Sequence, residues 1–267
     1  MAISLKSISK GAQIRAPRLI LLGTEKVGKS TFAAGANKPL FIPIVGEEGI
    51  DALDVARFPA AKTFVELIEM LESLMKEDHD YKTVVIDSTS ALEPLIWTHV
   101  CGENGVGNIE DVGGGFGKGY IKALDSWRLL TSWLDALREQ KDMASILIGH
   151  VKVKGFNDPT QDSYDMYQFD INDKASAMLY RWSDSTLFAN TKSIVKHEDK
   201  GFNQTESRAI DAANGSRFLY TGKRPAHPGG GRGVFGRLPY ELPLNWPAYQ
   251  AAIVAQIEAE KNPPAAE

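Results

Sequence analysis

The sequence predicts an α/β fold: a mostly parallel central sheet flanked by helices, with antiparallel strands added toward the C-terminus. Three observations lead there. Through the first two-thirds of the chain, short apolar runs of strand length alternate with stretches of helical periodicity, which is the pattern of parallel βαβ units. The first run, RLILL, stops at a glycine and passes through a short loop into an alanine-rich helix. Beyond residue 190 the pattern changes to a hairpin and then to Pro/Gly-rich text.

The elements follow in order. Residues 1–17 are a mixed polar leader. Arg18 to Leu22 is a buried strand bounded by Pro17 and Gly23. A helix is predicted from Lys29 to Ala36. Pro39 to Val45 is a second strand, with Pro43 awkward inside it. Phe64 to Met75 carries Phe64, Leu67, Ile68, Leu71, Leu74 and Met75 at helical spacing. Thr83 to Ile86 is a β-branched strand ending at Asp87. A glycine-rich tract, Gly102 to Gly119, is followed by an amphipathic helix over Ile121 to Gln140. Ala144 to Ile148 is a further buried strand ending at Gly149-His150. Residues 151–173 read as a polar, Asp- and Tyr-rich loop. A helix at Asp173 to Trp182 precedes a strand at Ser185 to Ala189. Residues 191–224 suggest a hairpin region with a turn near Gly201, and 225–245 are irregular. A last helix, Pro247 to Lys261, leads into a frayed NPPAAE tail.

Composition narrows the function classes. A chain of 267 residues with 43% hydrophobic content can bury one sizeable core. A net charge of −4 argues against a wholesale nucleic-acid binder, so any polyanion contact is local. Cys101 is the only cysteine, so no intrachain disulfide can form and a reducing compartment is expected. No apolar run reaches bilayer-spanning length and no secretion signal is visible, so a cytoplasmic protein without membrane contact is expected.

The loop after the first strand carries the chemistry. Gly23, Thr24, Glu25, Lys26, Val27, Gly28, Lys29 and Ser30 match G-x-x-x-x-G-K-[ST] at every fixed position. With Thr31 they form the candidate nucleotide site. Glycines let the backbone curl so that its N–H groups converge on a polyphosphate, and the following helix adds the positive end of its dipole. Lys29 can reach the terminal phosphates and Ser30 can bind Mg²⁺. A nucleoside triphosphate also needs a carboxylate for the metal shell, and TVVIDS supplies Asp87 at a strand end, with Ser88 beside it. Hydrolysis needs a group to orient water. Glu47 and Glu48 in VGEEGIDAL are the candidates, with Glu47 preferred.

TVVIDSTSAL is similar to the second nucleotide motif of RecA-type recombinases, and EEGIDAL resembles the segment that carries their catalytic glutamate. ILIGHVKVKGF sits where those proteins place a phosphate-sensing polar residue ahead of a DNA-binding loop. FNDPTQDSYDMYQFDINDKASAMLYRWSDSTLFAN and RPAHPGGGRGVFGRLPYELPL resemble phage-encoded nucleotide-binding proteins of the RecA-like single-strand annealing group. The likeness covers roughly residues 15–245. It implies a RecA-like P-loop NTPase domain over 18–245, between the leader 1–17 and a C-terminal helix and tail at 246–267. It implies an ATPase using ATP and Mg²⁺, stimulated by single-stranded DNA, in phage recombination or strand annealing. A homo-oligomeric ring or filament, and a phage or host single-strand-binding protein as partner, belong to the same expectation. Carried over, Lys29 and Ser30 bind phosphate and Mg²⁺, Asp87 is the second-motif carboxylate, Glu47 orients water and His150 is the sensor. The sensor of RecA itself is a glutamine, whereas histidine titrates near neutrality. In PIVGEE, the residues before the glutamate also depart from the usual Asp-rich text, which bears on the choice between Glu47 and Glu48.

Read without the family, Arg217 to Arg237 contains Arg217, Lys223, Arg224, Arg232 and Arg237 and no acid, with Phe218, Tyr220 and Phe235 interleaved. Cations can track a backbone while rings stack bases. A subunit-interface loop, with Lys223 or Arg224 reaching a neighbour's nucleotide, and a solvated basic face are the alternatives. Lys118, in the glycine tract, and Lys152 and Lys154, in the loop after His150, are further candidate contacts. The acids Asp158, Asp162 and Asp165 weaken a simple backbone-tracking role there. Two other functions fit the motif: a nucleotide-gated adaptor that turns ATP over poorly and binds a protein partner, and a small-molecule kinase. No lid motif supports the kinase.

Overall fold

A computed structural model describes residues 8, 10, 15–47, 49–157, 162–199, 205–211 and 215–261, with backbone alone for 193–199 and 205–211. The chain runs β1 (Arg18–Gly23), α1 (Lys29–Ala34), β2 (Pro39–Pro43), β3 (Ala56–Arg57), α2 (Phe64–Lys76), β4 (Thr83–Asp87) and α3 (Thr89–Asn104). A 3₁₀ turn (Ile109–Gly114) leads to α4 (Lys118–Lys141), β5 (Ala144–Gly149), β6 (Val151–Phe156), β7 (Tyr164–Phe169), α5 (Asp173–Trp182) and β8 (Ser185–Thr191). Then come β9 (Ser193–Asp199), β10 (Thr205–Asp211), β11 (Arg217–Tyr220), β12 (Gly230–Gly231), a 3₁₀ turn (Gly233–Arg237), β13 (Glu241–Pro243) and α6 (Trp246–Lys261).

The main sheet has the order β13-β11-β8-β1-β5-β4-β2-β3, with β12 also on β8. From β8 to β3 every neighbour is parallel. β11, β12 and β13 join antiparallel. The expected α/β architecture with added antiparallel strands is therefore what the chain adopts. β1 shows why. Ile20 and Leu22 face a core shared with Leu71, Leu92, Trp127 and Leu179 of α2, α3, α4 and α5. Leu19 and Leu21 face a second core with Phe32 of α1 and Tyr249 of α6. A strand covered on both faces reads as a continuous apolar run rather than an alternation.

Three expectations change. Residues 151–173 hold a hairpin, β6 with β7, paired from Val151↔Phe169 to Phe156↔Tyr164. Its strands carry exposed lysines and Gly155, so they lack the apolar run that marks a covered strand. The Gly102–Gly119 tract is bounded by helix: α3 reaches Asn104 and α4 starts at Lys118, with the kinked 3₁₀ turn Ile109–Gly114 between them. Gly105 ends α3 in the left-handed region at φ 63°, and Gly119 lets α4 come so close to Ile109 that a Cβ would strike its carbonyl. Finally, Pro43 closes β2 rather than interrupting it, so the strand ends there and not at Val45. The hairpin expected within 191–224 is β9 with β10; the expected turn residue, Gly201, lies outside the described residues.

Candidate nucleotide site

Parallel register aligns the C-terminal ends of four strands. Asp87 stands opposite Pro43 on one side and Ile148 on the other, and Gly149 stands opposite Leu22. The residues just past these ends are Gly23–Ser30, Glu47, Ser88 and His150. The crevice beyond the carboxyl ends of parallel strands is where open α/β sheets bind ligands.

The loop between β1 and α1 has the geometry that the motif requires. Gly28 sits at φ 105°, the region that favours glycine. A Cβ on Gly23 would stand 2.4 Å from the Ala189 carbonyl oxygen, so only glycine lets β1 pass that close to β8. Lys29 is buried, and its ammonium donates to the Gly23 and Thr24 carbonyls at 3.0 and 2.8 Å. Burial pulls its pKa down, and the nearby Asp87, Glu47 and Glu25 charges oppose that. α1 has no acidic residue in its first turn, which leaves its positive end for an anion.

Ser30 Oγ donates to Asp87 Oδ2 at 2.6 Å. Burial pushes the Asp87 carboxyl up, the Ser30 hydrogen bond pulls it down and the Glu47 charge pushes it up again. A hydroxyl and a carboxylate are hard oxygen donors. Among the described residues no group of three His, Cys, Asp or Glu could form a dedicated cage. That donor set suits Mg²⁺, which keeps waters and takes its remaining oxygens from phosphates. Ser30 and Asp87 would hold the ion, which would neutralise phosphate charge.

Glu47 follows β2 through a turn in which its N–H donates to the Ile44 carbonyl at 3.1 Å. Its Oε1 accepts from Ser88 Oγ at 2.5 Å and meets His150 Nε2 at 2.9 Å. The His150 hydrogen bond is the main cause that holds the Glu47 carboxyl below its ordinary value, against partial burial. His150 is fixed in turn: its N–H donates to Ser90 Oγ at 3.0 Å, and its carbonyl accepts from Asp170 N–H at the foot of the β6–β7 hairpin. Glu48 lies outside the described residues.

These groups line one cleft of about 550 Å³, which holds Glu25, Lys29, Ser30, Glu47, Asp87 and His150. Thr24 joins through its carbonyl and Thr31 through the cleft wall, and Val27, though buried, also lines the cleft. Arg217, expected among DNA or intersubunit contacts, lines the same cleft.

The family profile described as AAA domain matches residues 15–233. The chain belongs to the AAA-domain family. This AAA domain therefore has a P-loop ATPase core, as its cleft implies. Among solved structures it is similar to one titled as the crystal structure of the RadB recombinase, at 16% identity and a TM-score of 0.39, over 67% of this chain and 77% of that one. No curated protein matches. No described helix is long and apolar enough to cross a membrane.

The other candidate cations of this AAA domain lie outside that cleft, and two of them, Lys223 and Arg232, line a second one. Lys118 donates to the Gly113 carbonyl. On the hairpin, Lys152 pairs with Asp170 and Lys154 with Asp173. Arg224 lies over the Tyr240 ring at 4.2 Å. Arg232 donates to the Arg181 carbonyl and Arg237 pairs with Glu260. The second cleft, with Lys223, lies between the hairpin, α5 and β12. Of the aromatic candidates, Tyr220 is buried and Phe218 and Phe235 are partly buried; near the hairpin, Phe169 and Phe188 are core, and the Tyr167 ring lies tilted 5.3 Å from Phe188. Trp182 packs under Arg18 and donates to Asp135.

Proposed function

We propose that the protein is a Mg²⁺-dependent ATPase whose nucleotide state governs its grip on single-stranded DNA, acting in phage recombination or strand annealing. One observation carries the reading. Glu47, the water-orienting candidate, is joined through His150 to the root of the β6–β7 hairpin, which displays Lys152 and Lys154. Contact with a terminal phosphate would compete for the His150 ring, and the hairpin root would register that change. The Lys152 and Lys154 ion pairs are half-exposed, so each is weak and can be exchanged for a DNA phosphate. The phage and annealing assignments rest on the sequence resemblance in residues 156–190 and 224–244. Assembly into a homo-oligomer would give those separate cations a continuous track, and a single-strand-binding protein would be a natural partner.

ATP hydrolysis with and without single-stranded DNA, on wild type and Lys29→Ala, tests the reading. DNA-stimulated turnover that Lys29→Ala abolishes is expected. ATP binding without turnover or a DNA response would favour a nucleotide-gated adaptor. One observation favours that second reading: Glu47 Oε1 already engages both Ser88 and His150, which lowers its readiness to take a proton from water.

A further inference from the structure

We infer that Arg217 is a nucleotide-binding residue supplied by the same chain, acting on the α-phosphate side of the P-loop. The inference rests on the nucleotide-binding reading of the cleft and adds a residue that neither the motif nor the family match assigns.

The backbone of Arg217 is anchored on both sides. It pairs with Thr191 of β8, and its carbonyl accepts from Leu244 N–H at 3.0 Å. The side chain has no ion pair and no hydrogen bond among the described residues, although it points at a loop. Its Nη1 lies 2.9 Å from where a Cβ on Gly28 would stand. Gly28 therefore does two things: it allows the left-handed turn at φ 105° and leaves room for a guanidinium against the cradle. An arginine laid unpaired against the loop that carries the phosphate motif is an arrangement for an anion, since guanidinium binds phosphate oxygens through a planar fork.

Sheet order says which phosphate. β4 and β2, which carry Asp87 and lead to Glu47, lie on one side of β1; β8 and β11 lie on the other. A polyphosphate whose terminal group meets Asp87 and Glu47 has its nucleoside end toward β11. Arg217 then meets the phosphate that ADP and ATP share, and not the one that is lost. Its effect is on affinity for both nucleotides and not on the chemical step.

The test is equilibrium binding of a fluorescent ADP and a fluorescent ATP analogue to the full chain, for wild type, Arg217→Gln and Arg217→Lys. Expected for Arg217→Gln is a loss of roughly tenfold for both nucleotides alike, the scale of one charge-assisted contact, with partial recovery in Arg217→Lys. The nucleotide-free melting temperature stays at the wild-type value, because the side chain holds no internal partner. The loss persists at dilutions where sedimentation shows a monomer, because arginine and cradle share one chain. Wild-type affinity in Arg217→Gln overturns the inference, and so does a loss confined to ATP. If wild type binds neither analogue, the nucleotide reading itself falls and takes this inference with it; that outcome is separate from failure of the arginine variant alone.

Discussion

At the scale of the residue, Glu47 carries the sharpest expectation. Two donors converge on its Oε1, and the histidine holds it ionised below the ordinary carboxylate value. If it orients the attacking water, Glu47→Gln keeps the shape of the cleft and loses the base. Turnover is expected to fall by about 10²–10⁴-fold while ATP affinity changes little. A single-turnover assay beside a binding titration checks the split. Because the Glu47 pKa is depressed, protonation of this group does not limit turnover until the pH falls below the usual carboxylate range. An acid limb nearer neutrality would have to come from another group. The neighbouring Ser88 does two jobs, donating to Glu47 and capping α3 by accepting from Ala91 N–H at 3.2 Å. A defect in Ser88→Ala would therefore mix catalysis with a cap loss of about 1 kcal/mol, which makes Glu47 the cleaner probe.

At the scale of the element, the hairpin is fastened to the core through Glu93. This residue of α3 is buried, and both its carboxyl oxygens accept from Asn172 N–H at 2.9 Å, where Asn172 caps α5. Burial pushes its carboxyl up to about 7; the Asn172 N–H and the Lys152 charge pull down, and Asp170 pushes up. A raised carboxyl pKa means that the folded chain holds the proton more tightly than the unfolded one. This contribution to stability is thus fullest below the ordinary glutamate range and is lost as pH rises toward about 7. Glu93→Gln is expected to match wild type near pH 4 and to exceed it near pH 8 by on the order of 3 kcal/mol. Urea titrations at both pH values measure the difference. The same region shows what sequence could tell. β1, β4 and β5 are legible because a strand covered on both faces must be apolar throughout, and α5 because it carries its cap and its apolar stripe. The hairpin is not, since its strands are half-exposed and rich in Lys, Asp and Tyr. α3 hides for a different reason: Pro94 lies inside it and its apolar residues are not gathered on one face. Within the cleft, Lys29, Ser30 and Asp87 follow from local motifs. The place of Arg217 does not, because it depends on β11 pairing with β8 far along the chain.

At the scale of the whole molecule, the two faces of the sheet are unequally covered. α2, α3, α4 and α5 share one core, while α1 and α6 cover the other. α1 is only six residues long and carries the phosphate cradle at its start. So short a helix has little stability of its own, and its position depends on what packs against it. Tyr249 of α6 is fully buried, with its ring 5.7 Å from Phe32 of α1 and 5.6 Å from Trp246. Trp246 in turn lies 5.3 Å from Phe32, and its Cβ is 2.6 Å from where a Cβ on Gly35 would stand. The C-terminal helix is therefore the clamp on the nucleotide helix. Tyr249→Ala is expected to cost about 3–5 kcal/mol of stability, as for other large aromatic truncations. Because α1 loses its lid, nucleotide affinity should fall with it. Linkage separates this from simple global loss. A ligand at about 100 times its dissociation constant stabilises the fold that binds it by about 2.7 kcal/mol. Mg²⁺-ADP at one fixed concentration should therefore raise the unfolding midpoint of wild type clearly and that of Tyr249→Ala much less. Equal shifts in the two would mean that the cradle keeps its shape without the clamp, and that α6 serves stability alone.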